Sequence, residues 1–462
     1  MKKQGSYAII FAFIFCMILT RSIYLKSQDV HGSVGYDCFT IRLKGDSLIE
    51  NAFDVSDIEE LERTLNPELM TCYALDKGQV AWEKSRKEAV ICGIKGDFNE
   101  FYNMRVKRGS FLNEIDYDNE SYVAVLDEEL AASIFGSDDI IGLDVKIFDK
   151  KFKVIGITGN DTSIAGRLIE KDLTYAYIPL NTMDDANGSY SIANIELKAE
   201  KGSLDRSVIE DKITLTGRNT DDFYIEDWNS IGIISRQRFD ILLFITGIYL
   251  IWNLLLVIYD ISGKFIALIK SYLKENYFSD VIKIIWVKFL IAFGKTAGIL
   301  TAIIFIWKEI SFDLYILPER FPEDPTSISE ILGIGKKALM ETIRTDYSYM
   351  HHNNLIISFL NKQGSMIFLV ALICEIYILF FMLKNIRAHY GSMLEAVKGL
   401  GLCYAVSILL SYLIIYSMGL PVELSIKSMI LLWAGFFTIA VVKGSKFVES
   451  ESVGVKNEQG CA

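Results

Sequence analysis

The sequence predicts a multi-pass α-helical membrane protein of about six spans, with a mixed α+β domain outside the membrane between the first span and the second. Three observations carry this reading. The 462 residues are 51% hydrophobic yet 23% charged, and a mean hydropathy of +0.29 is more apolar than soluble domains sustain over such a length. Apolar runs stand at Tyr7–Thr20, Ile241–Tyr259, Phe289–Trp307, Met366–Leu383, Leu402–Met418 and Ile426–Val442, and a spanning helix needs about 20 residues. Between the first and second runs lies a long stretch with the periodicities of a folded domain.

The first run is short, and Ser22–Leu25 extends it if Arg21 reaches back to the far interface. Lys2 and Lys3 give it a basic start, but no small-x-small cleavage site follows, so it reads as an uncleaved anchor. Lysine and arginine set the orientation. Lys2 and Lys3, then Lys264, Lys270, Lys274 and Lys283, then Lys384, Arg387 and Lys398, then Lys443 and Lys446 all fall on one side of a six-span chain. That side is the cytoplasm, both termini included. The resulting divisions are an anchor (1–25), an outer domain (26–239), a membrane domain (240–400) with an outer loop at 308–365, two further spans (401–443) and a cytoplasmic tail (444–462).

Within 26–239, strand-like alternation marks Cys38–Leu43, Ala89–Ile94, Tyr122–Leu126, Asp144–Ile147, Lys153–Ile157 and Asn194–Leu197. Helix-like stretches intervene at Ser56–Leu65, Glu128–Phe135 and Ser203–Ile213. In the outer loop, Pro318, Pro322 and Pro325 punctuate an irregular start, and Ser327 with Glu330 forms a capping box for a helix to about Arg344. His351 and His352 read as a solvated loop. Cys38, Cys72 and Cys92 share the outer domain, either with one disulfide or as unpaired buried thiols.

The run Val90–Thr158 carries an "RG.F....D" turn and then "VL.E..A..IFG....IG", with Arg108, Gly109, Phe111, Asp116, Val125, Leu126, Glu128, Ala131, Phe135, Gly136, Ile141 and Gly142 at the matching positions. This run resembles the extracytoplasmic domain of MacB-like and FtsX-like ABC transporter permeases. Read physically, these are scaffold residues: Gly109 and Gly136 at turns of positive φ, Gly142 at a bend, Phe111 and Phe135 in the core. The resemblance extends at the level of pattern from Gly35 to Leu400. Phe265–Gly294 looks like the segment after the family's second span, with Ser271, Tyr272 and Leu273 in place of an Ala-Leu-Gly turn. Asn385–Leu400 looks like the stretch that usually closes these permeases, although two more apolar runs follow here.

The resemblance implies a permease subunit that couples a separate cytoplasmic ABC ATPase to movement of the outer domain, for export, extrusion or mechanical work on a substrate the sequence does not name. A second copy or a paralogue would pair with it in the bilayer. The substituted turn motivates the alternative of a membrane-anchored sensor or interaction protein with the permease fold. No GxxxxGK[ST] occurs, so no cofactor is expected in this chain and ATP is expected in the partner subunit. No nucleophile elbow and no Cys/His metal spacing occur, so no catalytic or metal site is expected. A net charge of -11 argues against nucleic acid. Phe265, Leu268 and Tyr272 make one stripe at helical spacing, read as a short interfacial helix that contacts the ATPase. Asn253, Lys295 and Glu375 interrupt apolar runs, where ionisable groups are costly and tend to pair. Their similar depth is read as a buried Lys295–Glu375 pair supported by Asn253.

The lysine asymmetry generates a test of topology. Single cysteines at Asn187 and Ser279 in a cysteine-free chain are expected to react oppositely with a membrane-impermeant thiol reagent, the first from outside and the second only after permeabilisation.

Overall fold

The computed structural model describes residues 3–169, 173–187, 190–198, 204–274, 277–322, 324, 326–343, 346–382 and 393–435. The chain opens with helix α1 (Lys3–Val30) and enters a ten-stranded sheet. Its strands are β1 (Phe39–Leu43), β2 (Leu69–Trp82), β3 (Ser85–Gly96), β4 (Val106–Gly109), β5 (Val123–Asp127), β6 (Asp144–Ile147), β7 (Lys150–Thr158), β8 (Tyr175–Pro179), β9 (Asn194–Lys198) and β10 (Phe223–Asp227). The spatial order is β10-β1-β9-β2-β3-β8-β5-β7-β4, with β6 bridging β2 and β7. Short helices decorate it: α2 (Val55–Leu65), α3 (Phe98–Phe101), α4 (Glu114–Asp118), α5 (Glu128–Phe135), α6 (Ile164–Ile169), α7 (Leu180–Asn187) and α8 (Arg206–Leu215).

The long helices follow: α9 (Trp228–Leu273), α10 (Phe278–Ile310), α11 (Ile328–Ile343), α12 (His352–Tyr377) and α13 (Met393–Ser417), and a shorter apolar one, α14 (Ile426–Gly435). Five helices among the described residues are long and apolar enough to cross a membrane: Gly5–Val30, Trp228–Leu273, Ile285–Ile310, His352–Phe380 and Leu394–Ser417. The sixth expected span begins as α14, and its residues 436–442 lie outside the described ones, as do 385–392 of the closing stretch. Charged side chains meet at one end of the apolar stretches, with Arg21 on Glu423 at 3.0 Å and Lys427 near Glu309 at 3.5 Å.

Most expected elements are present within a few residues, and Asp144–Ile147 and Glu128–Phe135 match at both ends. The sequence reading missed β2, β4, β8 and β10. β8 is buried at every position, so it shows no alternation to detect. Three further expectations are corrected. Phe135 is half-buried against Trp82, with ring centroids 4.8 Å apart, while the neighbouring Ile134 enters the core. Phe265–Leu273 is the last part of α9 and not a separate short helix; backbone bonding runs unbroken for 46 residues, a length of about 69 Å. Residues 352–365 belong to α12, which rises well beyond the apolar run that predicted it. Ser327 does cap α11 by accepting from the Glu330 N–H, but the Glu330 carboxylate turns back to the Asp324 N–H at 3.2 Å. Cys38, Cys72 and Cys92 are buried free thiols.

The sheet is amphipathic across its two faces. In β1, Ile41 and Leu43 join a core under α2 and α8, while Thr40 and Arg42 point the other way; Ile195 and Leu197 oppose Asn194 and Glu196 in β9 in the same manner. The second core begins on the sheet's other face, at Tyr73, Ile94 and Phe98. It continues without a break into the helices through Trp228, Ile356, Leu242 and Ile14.

Two glycines separate conformational strain from steric conflict. Gly109 has φ +73, and a Cβ there would lie 2.0 Å from the Ile155 carbonyl oxygen, whereas Gly136 has φ +69 and open space around it. Gly136→Ala is expected to cost about 1 kcal/mol, the left-handed penalty alone. Gly109→Ala is expected to cost about 2–4 kcal/mol because backbone must also move. Thermal unfolding of the two variants in detergent checks the order.

Candidate functional site

The polar face of the sheet would ordinarily meet water. Here the segment 346–354, which leads into α12, covers it. Asn194 donates to the Tyr349 carbonyl at 2.7 Å, the Gly45 N–H donates to the Asp346 carboxylate at 2.8 Å, and Arg42 donates to the Ser348 carbonyl at 2.9 Å. The Arg42 guanidinium also lies near Glu226 at 3.6 Å and over the Tyr224 ring at 4.7 Å, which disperses a charge that is almost fully buried.

Glu196 is the centre of this junction, and its side chain is 2% exposed. It accepts from the Thr40 hydroxyl, from Tyr102 at 2.6 Å and from the Asn354 amide at 3.0 Å. Thr40 in turn accepts from the Trp228 indole N–H at 2.6 Å, so β1, β9, the α3 turn, α9 and α12 all meet through one carboxylate. Burial pushes its pKa up to about 7, against the three hydrogen bonds that pull it down.

His351 is the N-cap of α12, and it is buried; the solvated loop expected for it and His352 is corrected. Its Nδ1 accepts from the Asn353 N–H at 3.4 Å, which places the proton on Nε2, 3.1 Å from the Tyr177 hydroxyl. Phe98, Tyr102, Tyr175 and Tyr177 surround it with ring centroids 5.0–5.8 Å away. Burial and the adjacent His352 hold it well below the ordinary histidine range, so it is neutral. His31, at the end of α1, packs on Trp228 at 4.8 Å, and burial lowers its pKa to about 3.

Two further contacts fasten the outer domain to the helices. Lys26 of α1 is buried and pairs with Asp161 at 2.8 Å, beside a polar cavity of about 40 Å³ that is too small for a drug-sized ligand. The Ile164 N–H at the start of α6 donates to the Met418 carbonyl just past α13 at 2.9 Å. Below these, α1, α9 and α12 pack through apolar side chains, and Ser235 of α9 donates to Asn361 of α12 at 2.8 Å. Among the described residues, no group of histidine, cysteine and carboxylate side chains is arranged to hold a metal.

The residues singled out in the sequence behave differently. Asn253 is buried but donates to the Tyr249 carbonyl of its own helix at 2.7 Å. Glu375 is buried and accepts from Thr246 of α9 at 2.7 Å. Lys295 sits on α10, which packs along α9 and not against α12, and its side chain is exposed. The expected Lys295–Glu375 pair is therefore not formed: equal depth does not bring two helices into contact. Phe265, Leu268 and Tyr272 are half-buried as a stripe, but α10 covers it, with Phe289 5.8 Å from Phe265 and the Lys288 ammonium 5.4 Å from the Tyr272 ring. The residues the sequence reading missed are Glu196, Asn354, His351 and Arg42. Alternation put Glu196 and Arg42 on a polar face, and nothing local indicates that a segment some 150–300 residues away covers that face.

The buried carboxylate generates a pH prediction. Its folded pKa lies above the ordinary glutamate value of 4.5, so the folded state holds the extra proton between about pH 4.5 and 7, and stability from this group rises as pH falls through that window. Histidines buried neutral act oppositely below their ordinary value of 6.5. Glu196→Gln removes only the first effect. The melting-temperature difference, wild type minus variant, is expected to grow in favour of wild type from pH 8 to pH 5; a constant difference contradicts a protonating Glu196.

Part of the chain is similar to known proteins. Residues 10–212 match the family model of the MacB-like periplasmic core domain. The macrolide export ATP-binding/permease protein MacB of Aggregatibacter actinomycetemcomitans is 29% identical over 159 residues, covering 33% of this chain and 24% of that protein. Its namesake from Campylobacter jejuni is 27% identical over 149 residues, covering 31% and 23%. The chain thus matches about a quarter of the length of these curated relatives. Among solved structures, the periplasmic region of MacB from Actinobacillus actinomycetemcomitans aligns over 42% of this chain and 90% of that one, at TM-score 0.35 and 22% identity. The extracellular domain of the ABC-type transporter YknZ aligns over 41% and 99%, at TM-score 0.33 and 14% identity. The chain thus carries a stretch that matches the MacB-like periplasmic core domain, joined to several membrane-length helices, and it is through that stretch that it is similar to the MacB proteins.

Proposed function

We propose that this chain is the permease subunit of an ABC transporter, in which a separate cytoplasmic ATPase moves the helices and the helices move the outer domain. The observation that carries the reading is the junction: α1, α9 and α12 each run from the apolar band into the outer domain, and one core is continuous across it. Ligand-driven motion at one end of such a packed unit is felt at the other. The relatives named above combine a permease with an ATP-binding part; here ATP is assigned to a partner subunit, and the chain itself has no enzymatic role. Because α10 covers Phe265 and Tyr272, the ATPase is assigned instead to the exposed side of the same helix end, at Ile266 and Lys270. The stripe anchors that end to α10. A second copy of the chain, or a paralogue, supplies the other half of the transporter in the bilayer. The substrate class is left to experiment.

Ser271, Tyr272 and Leu273 in place of the family's turn favour one other reading, a sensor with the permease fold. Purification from native membranes in mild detergent separates the two. The permease reading expects a co-purifying ATPase whose hydrolysis is vanadate-sensitive. It also expects spin labels at the exposed hairpin residue Lys84 in paired copies to change separation on ATP addition. Asn354→Ala is expected to weaken that response by about 0.5–2 kcal/mol of coupling while hydrolysis persists. No ATPase and no nucleotide response would leave the sensor.

A further inference from the structure

Glu375 is the one acidic side chain of α12, and it is 1% exposed within an apolar stretch. Its Oε1 accepts from the Thr246 hydroxyl at 2.7 Å, and its Oε2 has no hydrogen-bond partner. Among the described residues, no cation answers it. On the elements packed around α12, the described titratable side chains within the apolar stretches are Tyr7 and Cys16 of α1, Tyr249 of α9, and Cys374 and Tyr377 of α12 itself, none of them basic. The described basic side chains of α1, α9 and α12 near the outer domain are Arg21, Lys26, Arg236, Arg238, His352 and Lys362, and those at the other end of α9 are Lys264 and Lys270. Thr246 lies six residues inside Asp240 on α9, or about 9 Å, and it touches Gly435 of α14. The carboxyl group is thus inside the helix bundle and away from the charges that end it.

An ionised carboxylate in such a place needs two or three donors or a counter-charge, and one hydroxyl supplies neither. A neutral acid needs much less: Oε1 is then the carbonyl that Thr246 bonds, and Oε2 is the hydroxyl. Three residues further on, α12 changes to a π-helical turn (Ile378–Met382), where the Ile378 N–H is shared between the Cys374 and Glu375 carbonyls. Such turns concentrate at functional positions.

We propose that Glu375 is a proton-binding site, held as the neutral carboxylic acid while α9 and α12 are packed together and giving its proton to water when their separation admits water to Oε2. The step breaks one O–H bond, leaves a carboxylate and forms hydronium; repacking reverses it. Any cycle that parts these helices therefore exchanges one proton per chain. The assignment does not rest on the presence of an ATPase.

Infrared difference spectroscopy of the full chain in lipid nanodiscs tests it. At pH 7 the wild-type minus E375Q spectrum is expected to contain the carbonyl stretch of one protonated carboxylic acid, shifted down in D2O. T246V is expected to move that same band to higher frequency, because the carbonyl oxygen loses its only hydrogen bond. Loss of a carboxylate band pair in E375Q, in place of the acid band, overturns the proposal. If E375Q does not fold, T246V decides alone, and an acid band that does not move overturns the proposal as well.

Discussion

Removing a carboxylate from water costs several kcal/mol unless hydrogen bonds replace its hydration, and Glu196 meets that requirement only through groups drawn from separate parts of the chain. Thr40 comes from β1, Tyr102 from just after α3 and Asn354 from the first turn of α12. Each donor removed would leave the buried oxygen short by about 1–3 kcal/mol. The sheet, the α3 turn and α12 therefore share one relative position in which all three bonds close together. Fixing α12 in turn fixes its neighbours. α1 packs along it, and α9 leaves β10 with the Trp228 N–H bonded to the Cys38 carbonyl and the indole bonded to Thr40.

That constraint gives the molecule its mechanical character. A domain tethered by flexible linkers would move freely relative to its anchor. Here the residues above the charged level, from Ser22 to Val30 on α1, are part of an unbroken helix, and so are those from Trp228 on α9. Within the apolar packing of these helices lie a few small polar contacts: Ser235 of α9 meets Asn361 of α12, and Gln237 of α9 meets the Tyr315 backbone in the loop after α10. Small groups allow close approach, and each hydrogen bond is modest enough to exchange during a rotation or slide. Rigid rods joined by exchangeable contacts carry displacement along their length while still permitting it across their width.

How much of this was readable in advance depends on whether the cause is local. Helix α5 was legible because Asp127 caps it, Gly136 ends it in the left-handed conformation, and the apolar spacing lies between. The spans were legible because bilayer thickness imposes their length. Their upper parts were not, since His352–Lys362 on α12 is too polar to read as membrane and yet is helical and packed. β2 was missed because Lys77 and Gly78 interrupt its pattern where the strand passes Phe148 and Ile91. The junction was the least legible part. Glu196 in the sequence Asn-Ile-Glu-Leu-Lys looks like any outward-facing strand residue, and only the return of the chain at 346–354 turns that face inward. His351 beside His352 likewise reads as polar until aromatic side chains from α3, the turn after it and β8 close around it.

The two ionisable groups in the apolar band show why depth alone was a poor guide to pairing. Trp286, Phe289, Phe293, Ile304 and Phe305 are exposed on α10, and the residues of its apolar stretch are not buried in the protein. A helix apolar all round and uncovered by protein is solvated by lipid. Lys295 on that helix carries a four-carbon stem, and a lysine in contact with lipid lowers its cost by extending toward the interface. Glu375 has no such length and lies on a helix enclosed by α1 and α9. The same membrane thus imposes opposite solutions on the two charges. The long side chain is exposed on α10, whereas the short, enclosed one meets a single hydroxyl, that of Thr246, and so attraction between them has no part in holding either helix.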